Sequence, residues 1–288
     1  MKSIKNKILN YKEIFLKKEL RKLIDLPEGN LSFKDKTVMY MMNNLGNVDP
    51  ELRDTLIYSL FARGFEEKSF TTKQQQMIIT GFINNLGLFT EIGRKKDDRV
   101  FLRSFSALLG SILLDADGET PLFTDKQREL IFKSAIDNLK KESDFRGYVP
   151  EKGWAHAIAH GSDFLGYSIS HKNFHTADIN SIFDVMRCIM NKLTVPFIDE
   201  EEQRIAYAFF QGVSSKNIKE QDLVSFIQKY DNEVWEKYSE SKDELSAFYR
   251  LSTWFHIMQN WYFMFFEYQD IKEILYLRIK KYLEKMFN

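Results

Sequence analysis

Apolar residues recur at helical spacing along nearly the whole chain, and almost no window alternates apolar with polar residues as a half-buried strand would. Near the N-terminus, Ile4, Ile8, Tyr11, Phe15, Leu16, Leu20 and Leu23 recur in this way and predict an amphipathic helix that packs on the body of the protein. A membrane-surface anchor is the weaker reading of this Lys-rich stretch, because Glu13 and Glu19 interrupt its positive charge. Helix-start signals are frequent. Asp49 is placed as an N-cap, and Pro50 follows at the first helical position, where a missing N–H costs nothing. "FTTKQQQ" (Phe70–Gln76), "FTDKQRE" (Phe123–Glu129) and "FIDEEEQ" (Phe197–Gln203) set Thr or Asp ahead of a polar first turn. These marks predict helices over residues 50–66, 72–87, 98–115, 125–142, 153–168, 177–193, 200–213, 220–238, 243–266 and 269–286. The fold class is all-α.

The helical pattern also repeats. "FTTKQQQMIITGFINNL" (Phe70–Leu86) and "FTDKQRELIFKSAIDNL" (Phe123–Leu139) agree at Phe-Thr, Lys-Gln and the closing Asn-Leu. A looser third copy starts at Phe174, so the starts lie 53 and 51 residues apart. Gly110 and Gly161 each stand thirteen residues ahead of the second and third phenylalanine. Each unit is therefore a helix pair of about fifty residues, which cannot bury its apolar face alone and gains a core by stacking on its neighbours. The expected architecture is a HEAT-like helical repeat, an α-solenoid or curved α/α array in a single domain. Residues 1–48 would cap it, 49–240 hold the repeat pairs, and 241–288 form aromatic C-terminal helices. An irregular helical bundle with chance similarity is the alternative.

Composition narrows the function classes. Hydrophobic residues make up 44% and charged residues 28%, ordinary for a globular protein, while a 15% aromatic share predicts bulky packing. Lys plus Arg equals Asp plus Glu at 41 each, so the chain lacks the basic excess expected of a nucleic-acid binder. The single cysteine, Cys188, has no partner for an intrachain disulfide, sits among apolar neighbours and is expected to be a buried, inert thiol. The most apolar stretch, Trp254–Tyr268, contains His256, Gln259 and Asn260 and falls short of the ~20 largely apolar residues of a membrane span. A cytoplasmic protein is expected, with oligomerisation through the aromatic C-terminal helices as one possible use of that surface.

Chemistry concentrates in "GWAHAIAHGSDF" (Gly153–Phe164). Aligned on the glycines, His156, His160 and Asp163 fall where the second unit carries Phe105, Leu109 and Ile112. Offsets of four and three put all three on one face of a predicted helix. Two histidines at i and i+4 can share one metal ion such as zinc. His156 and Asp163 would be separated by about 10.5 Å along an ideal helix, so Asp163 is better placed to orient His160 than to join the ion. A further ligand would come from His256, His171, His175, Asp115 or Asp117. The catalytic Glu of the H-E-x-x-H motif is absent. Polar packing between helices and a pocket for a polar or anionic ligand are the competing readings. Just upstream, Arg146 and Lys152 bring positive charge to the helix start, where free N–H groups can hold a phosphate or carboxylate. The alternative is a loop in which Arg146 pairs with Asp144 or Glu151.

"RGYVPEKGWAHAIAHGSDFL" (Arg146–Leu165), with "RSFSALLGSILLDAD" (Arg103–Asp117) before it, resembles a bacterial family catalogued as domain of unknown function 2785. The resemblance implies no activity. It marks Arg146, Gly147, Tyr148, Gly153, Trp154, His156, His160, Gly161 and Asp163 as matching the family motif, with Arg103 and Asp115 as further members of the constellation. The ligand-binding candidates are therefore Arg103, Asp115, Arg146, Tyr148, Lys152, Trp154, His156, His160 and Asp163, with His156 and His160 as metal candidates. The leading expectation is a binding or scaffold protein that takes a peptide, protein or small polar ligand in a groove around residues 146–163. A metal-dependent hydrolase and a purely structural or oligomeric subunit are the alternatives.

Overall fold

Local capping sets where the helices begin. Thr124 accepts from the Gln127 backbone N–H while the Gln127 side chain accepts from Thr124 N at 2.9 Å, a closed capping box. Thr71 and Gln74 exchange the same pair of bonds at 3.1 and 3.3 Å. Asp49 accepts from Glu51 N at 3.0 Å ahead of the helix that Pro50 opens. The computed structural model describes residues 15–84, 87–94, 97–175, 179–241 and 244–287. Ile4, Ile8 and Tyr11 lie outside them, as do residues 176–178 of the third repeat copy.

Helical residues 15–24 form α1, and α2 spans Asp35–Asn43. A π-helical stretch, Glu51–Tyr58, runs into α3 (Ser59–Glu66), followed by α4 (Thr72–Asn84), α5 (Arg99–Glu119) and α6 (Asp125–Lys141). A short hairpin, β1 (Tyr148–Val149) and β2 (Gly153–Trp154), precedes α7 (Ala157–Ser170). The chain continues through α8 (Asn180–Lys192), α9 (Glu201–Ser214), α10 (Glu220–Glu240), α11 (Leu245–Met264) and α12 (Gln269–Phe287). The predicted helices thus all have counterparts, and the protein is mostly helical. Leu20 anchors α1 in the core while Phe15 stays exposed.

Odd-numbered helices follow one another as neighbours: α5 lies between α3 and α7, and α9 between α7 and α11. Even-numbered helices also meet, α2 with α4, α6 with α8 and α10 with α12. The main apolar cluster runs from Leu20 to Tyr282, and a small satellite of Val100, Phe101, Ala155 and Ala157 lies under the hairpin. The close approach of α5 to α7 needs Gly110, where a Cβ would sit 2.5 Å from the buried Phe164 ring.

Two expectations need correction. The helix predicted from residue 153 begins only at Ala157, because Glu151, Gly153 and His156 take positive φ and fold the chain into the hairpin first. Cys188 is half-buried rather than buried: α8 buries the stripe from Ile182 to Met190, and position 188 falls at its flank. Among the described residues no helix is long and apolar enough to cross a membrane.

Candidate functional site

The hairpin is pinned from below by Arg53, a residue with no exposed surface on the π-helical stretch before α3. Its guanidinium donates to the carbonyls of Asn47 and Lys152, both at 2.7 Å, and lies over the rings of Phe101 and Phe105 at 4.2 and 4.8 Å. Gly153 is obligatory at this junction: its φ is +74°, and a Cβ would come 2.7 Å from Pro50. On the other side, a Cβ at Gly147 would meet Asp199 Oδ2 at 1.9 Å. That carboxylate accepts from Tyr148 N at 2.9 Å, so the Asp199 side chain braces the hairpin rather than capping α9.

His156 sits just ahead of α7 with φ 46°, a left-handed conformation that costs a non-glycine residue free energy and marks sites held by their surroundings. Its ring stacks on Trp154 at 4.3 Å, and Trp154 in turn meets Tyr148 edge-on at 5.1 Å. Nε2 is buried, has no hydrogen-bond partner among the described residues, and lies 3.8 Å from Glu201 Oε1. Burial pushes the His156 pKa down, with the Asp199 charge opposing.

One turn along, His160 Nδ1 lies 2.6 Å from Ser104 Oγ on α5, and the ring is edge-on to Phe105 at 5.2 Å and to His156 at 5.6 Å. Burial, and then the charges of His156, Arg204 and Arg53, hold its pKa well below the ordinary histidine value. This environment favours the neutral imidazole of His160. Asp163 does not reach back to orient it. Its carboxylate instead accepts from Arg204 Nη1 on α9 at 2.9 and 3.0 Å, and burial raises its pKa despite that cation.

His160 and Arg204 line a cavity of about 600 Å³ with Trp154, His156 and Asp199. A second cavity of about 610 Å³ adjoins it and shares Tyr58, Leu108 and Arg204, extending the groove along α3, α5, α7 and α9. Asp54, Glu66, Asp115, Glu119, Asp163, Asp199 and Glu200 line the two against only Lys68 and Arg204 as cations. Tyr58, Tyr167 and Tyr207 add aromatic surface. Burial and the nearby Glu119 and Glu66 charges push the Asp115 pKa up, the mark of a carboxylate short of positive neighbours.

The other sequence candidates scatter. Arg146 bonds Asp144 at 2.8 Å and Asp97 O at 2.9 Å, and Lys152 bonds Asp98 at 2.7 Å, so neither cation is offered to an anion. Arg103 is buried against Glu142 at 2.6 Å, outside the groove. His171 Nε2 lies 3.1 Å from Asp117, which also holds Arg128, and His175 borders a separate cavity beside α6. His256 sits 3.4 Å from Glu202 in a small surface cavity of its own. Arg53, Tyr58, Ser104, Asp199, Glu201 and Arg204 were not singled out by sequence, because each meets the histidine segment only through long-range packing. The acidic run at Asp199–Glu202 was the one available signal, and as a sequence it reads as an ordinary helix start.

The family described as Protein of unknown function (DUF2785) matches residues 88–263, from the turn before α5 almost to the end of α11. No curated protein and no solved structure matches the chain. The matched segment contains His156, His160, Asp163, Asp199, Glu201 and Arg204 but not Arg53 or Tyr58. With well over half its length matched, this chain belongs to the DUF2785 family.

Proposed function

We propose that this protein is a binding module, a HEAT-like helical repeat in one domain whose groove along α3, α5, α7 and α9 takes a cationic, peptide-like ligand. The acidic and aromatic lining of the groove carries the proposal: seven carboxylates face two cations, and three tyrosines offer flat surface for a basic side chain. The order of helix neighbours supports the repeat array, and the apolar cluster continuous from Leu20 to Tyr282 supports a single domain. A cytoplasmic setting suits the lone thiol of Cys188.

Calorimetric titration with a short Lys- and Arg-rich peptide, beside a Glu-rich peptide of equal length, tests this. The basic peptide is expected to bind, more weakly at higher salt. Asp115→Asn and Glu119→Gln should each weaken it about fivefold to tenfold, roughly 1–1.4 kcal/mol. Equal binding of the acidic peptide, or binding of neither, sinks the proposal.

The hydrolase alternative, with His156 and His160 as joint ligands, has less support, since His160 is not among the groups whose ligand atoms converge on His156 and Arg204 takes Asp163. An oligomer built on the C-terminal helices draws support from Phe263, Phe266 and Phe287, which are 75%, 65% and 77% exposed. Light scattering on the purified chain separates dimer from monomer, and a monomer at all concentrations removes this alternative.

A further inference from the structure

At the hairpin end of the groove, three side chains bring potential ligand atoms together. His156 leaves Nε2 buried without a hydrogen-bond partner among the described residues. Asp199 accepts from Tyr148 N at 2.9 Å and leaves its second oxygen. Glu201, 3% exposed, accepts from Asp199 N at 3.0 Å through Oε2 and turns Oε1 toward His156. The 3.8 Å between Nε2 and Oε1 is too long for a hydrogen bond. It is close to the spacing of two atoms on one ion, since bonds of about 2.0–2.2 Å at tetrahedral angles place donors roughly 3.3–3.6 Å apart. Potential ligand atoms of His156, Asp199 and Glu201 all lie within 4.8 Å of one another.

We propose that His156, Asp199 and Glu201 form a binding site for a divalent transition-metal ion of the zinc class. One nitrogen and two carboxylate donors suit such an ion. Both carboxylates have the support that metal ligands ordinarily have, each being fixed by a backbone N–H group. Two non-glycine residues here are in the left-handed region, the ligand His156 at φ 46° and, between the two carboxylate ligands, Glu200 at φ 67°. Gly147 leaves the space that Asp199 fills. The ligand set leaves a coordination position open, and His156 and Asp199 both line the cavity of about 600 Å³. His160 is outside the set. The ligand atoms that converge within 4.8 Å belong to His156, Asp199 and Glu201, while His160 Nδ1 lies 2.6 Å from Ser104 Oγ.

The test uses the full chain, stripped with a chelator, then titrated with Zn²⁺ by calorimetry and with Co²⁺ by visible absorption. One ion per chain is expected. His156→Ala, Asp199→Asn and Glu201→Gln should each weaken binding at least about tenfold, while His160→Asn and Asp163→Asn retain it. Zn²⁺ should raise the Tm of the wild type and leave the Tm of folded ligand variants unchanged. If His156→Ala fails to fold, the near-isosteric Glu201→Gln and Asp199→Asn carry the test. Absence of saturable one-to-one binding overturns the proposal, as does undiminished binding in Glu201→Gln. A loss in His160→Asn as large as that in Glu201→Gln overturns it too, in favour of the histidine pair. None of these outcomes decides the peptide proposal, which the basic-peptide titration reads separately.

Discussion

The second and third copies of the sequence pattern differ in structure where they align. Arg103 to Leu113 in α5 is continuous helix, and the aligned positions Phe105 and Leu109 are buried while Ile112 is half-buried. The matching stretch of the third copy is broken by a hairpin, and its three polar replacements face separate neighbours. His156 turns to Asp199 and Glu201, His160 to Ser104, and Asp163 to Arg204. Polar residues that appear together at aligned positions therefore need not form one site. The groups they face lie on α5, on α9 and just ahead of α9, not on the same helix.

The break between the copies depends most on Arg53, so its removal has the largest expected effect. Arg53→Ala leaves the Asn47 and Lys152 carbonyls unsatisfied and empties the space over Phe101 and Phe105. A loss of about 3–5 kcal/mol is expected in urea unfolding. A loss under about 1 kcal/mol would show that the hairpin does not depend on this clamp.

Gly147→Ala comes next. Its Cβ must displace Asp199 from Tyr148 N, with a cost of about 1–3 kcal/mol from overpacking. Thermal melts read the effect, and an unchanged Tm would mean that the two segments separate freely.

His160 sharpens the comparison through pH. Its folded pKa lies below the value of about 6.5 in the unfolded chain, so between the two the unfolded chain binds more protons. Its contribution to stability is complete above about pH 6.5 and is lost as pH falls toward the folded value. Denaturation at a series of pH values should show a shallower decline below that point in His160→Asn. Identical slopes would indicate that His160 accepts a proton in the fold. Ser104→Ala should cost about 1 kcal/mol by removing the hydroxyl that meets Nδ1.

The smallest stability effect belongs to Asp163→Asn. Arg204 is half exposed, so the pair is worth under about 1 kcal/mol. The freed guanidinium, however, adds positive charge to the groove, and basic-peptide affinity should drop in the same titration. A rise in affinity would reverse the assignment of charge.

Much of this protein is local and was legible in the chain itself. The helices follow from 3.6-residue periodicity and from caps such as Thr71, Thr124 and Asp49, which act within three residues. The motif from Arg146 to Leu165 also identified the family that the match over residues 88–263 supports. Periodicity alone does not reveal the hairpin, so the helix expected from residue 153 begins only after His156. Tertiary structure alone decided the partners. Asp199 has the pattern of a helix cap, yet the positive φ at Glu200 and the space at Gly147 send its carboxylate to the hairpin. Burial of Arg53 under two phenylalanines and the seating of Ser104 against His160 likewise depend on how separate helices stack. Periodicity and capping are properties of neighbouring residues. Which buried polar atom meets which is settled only when the apolar faces have brought distant segments together.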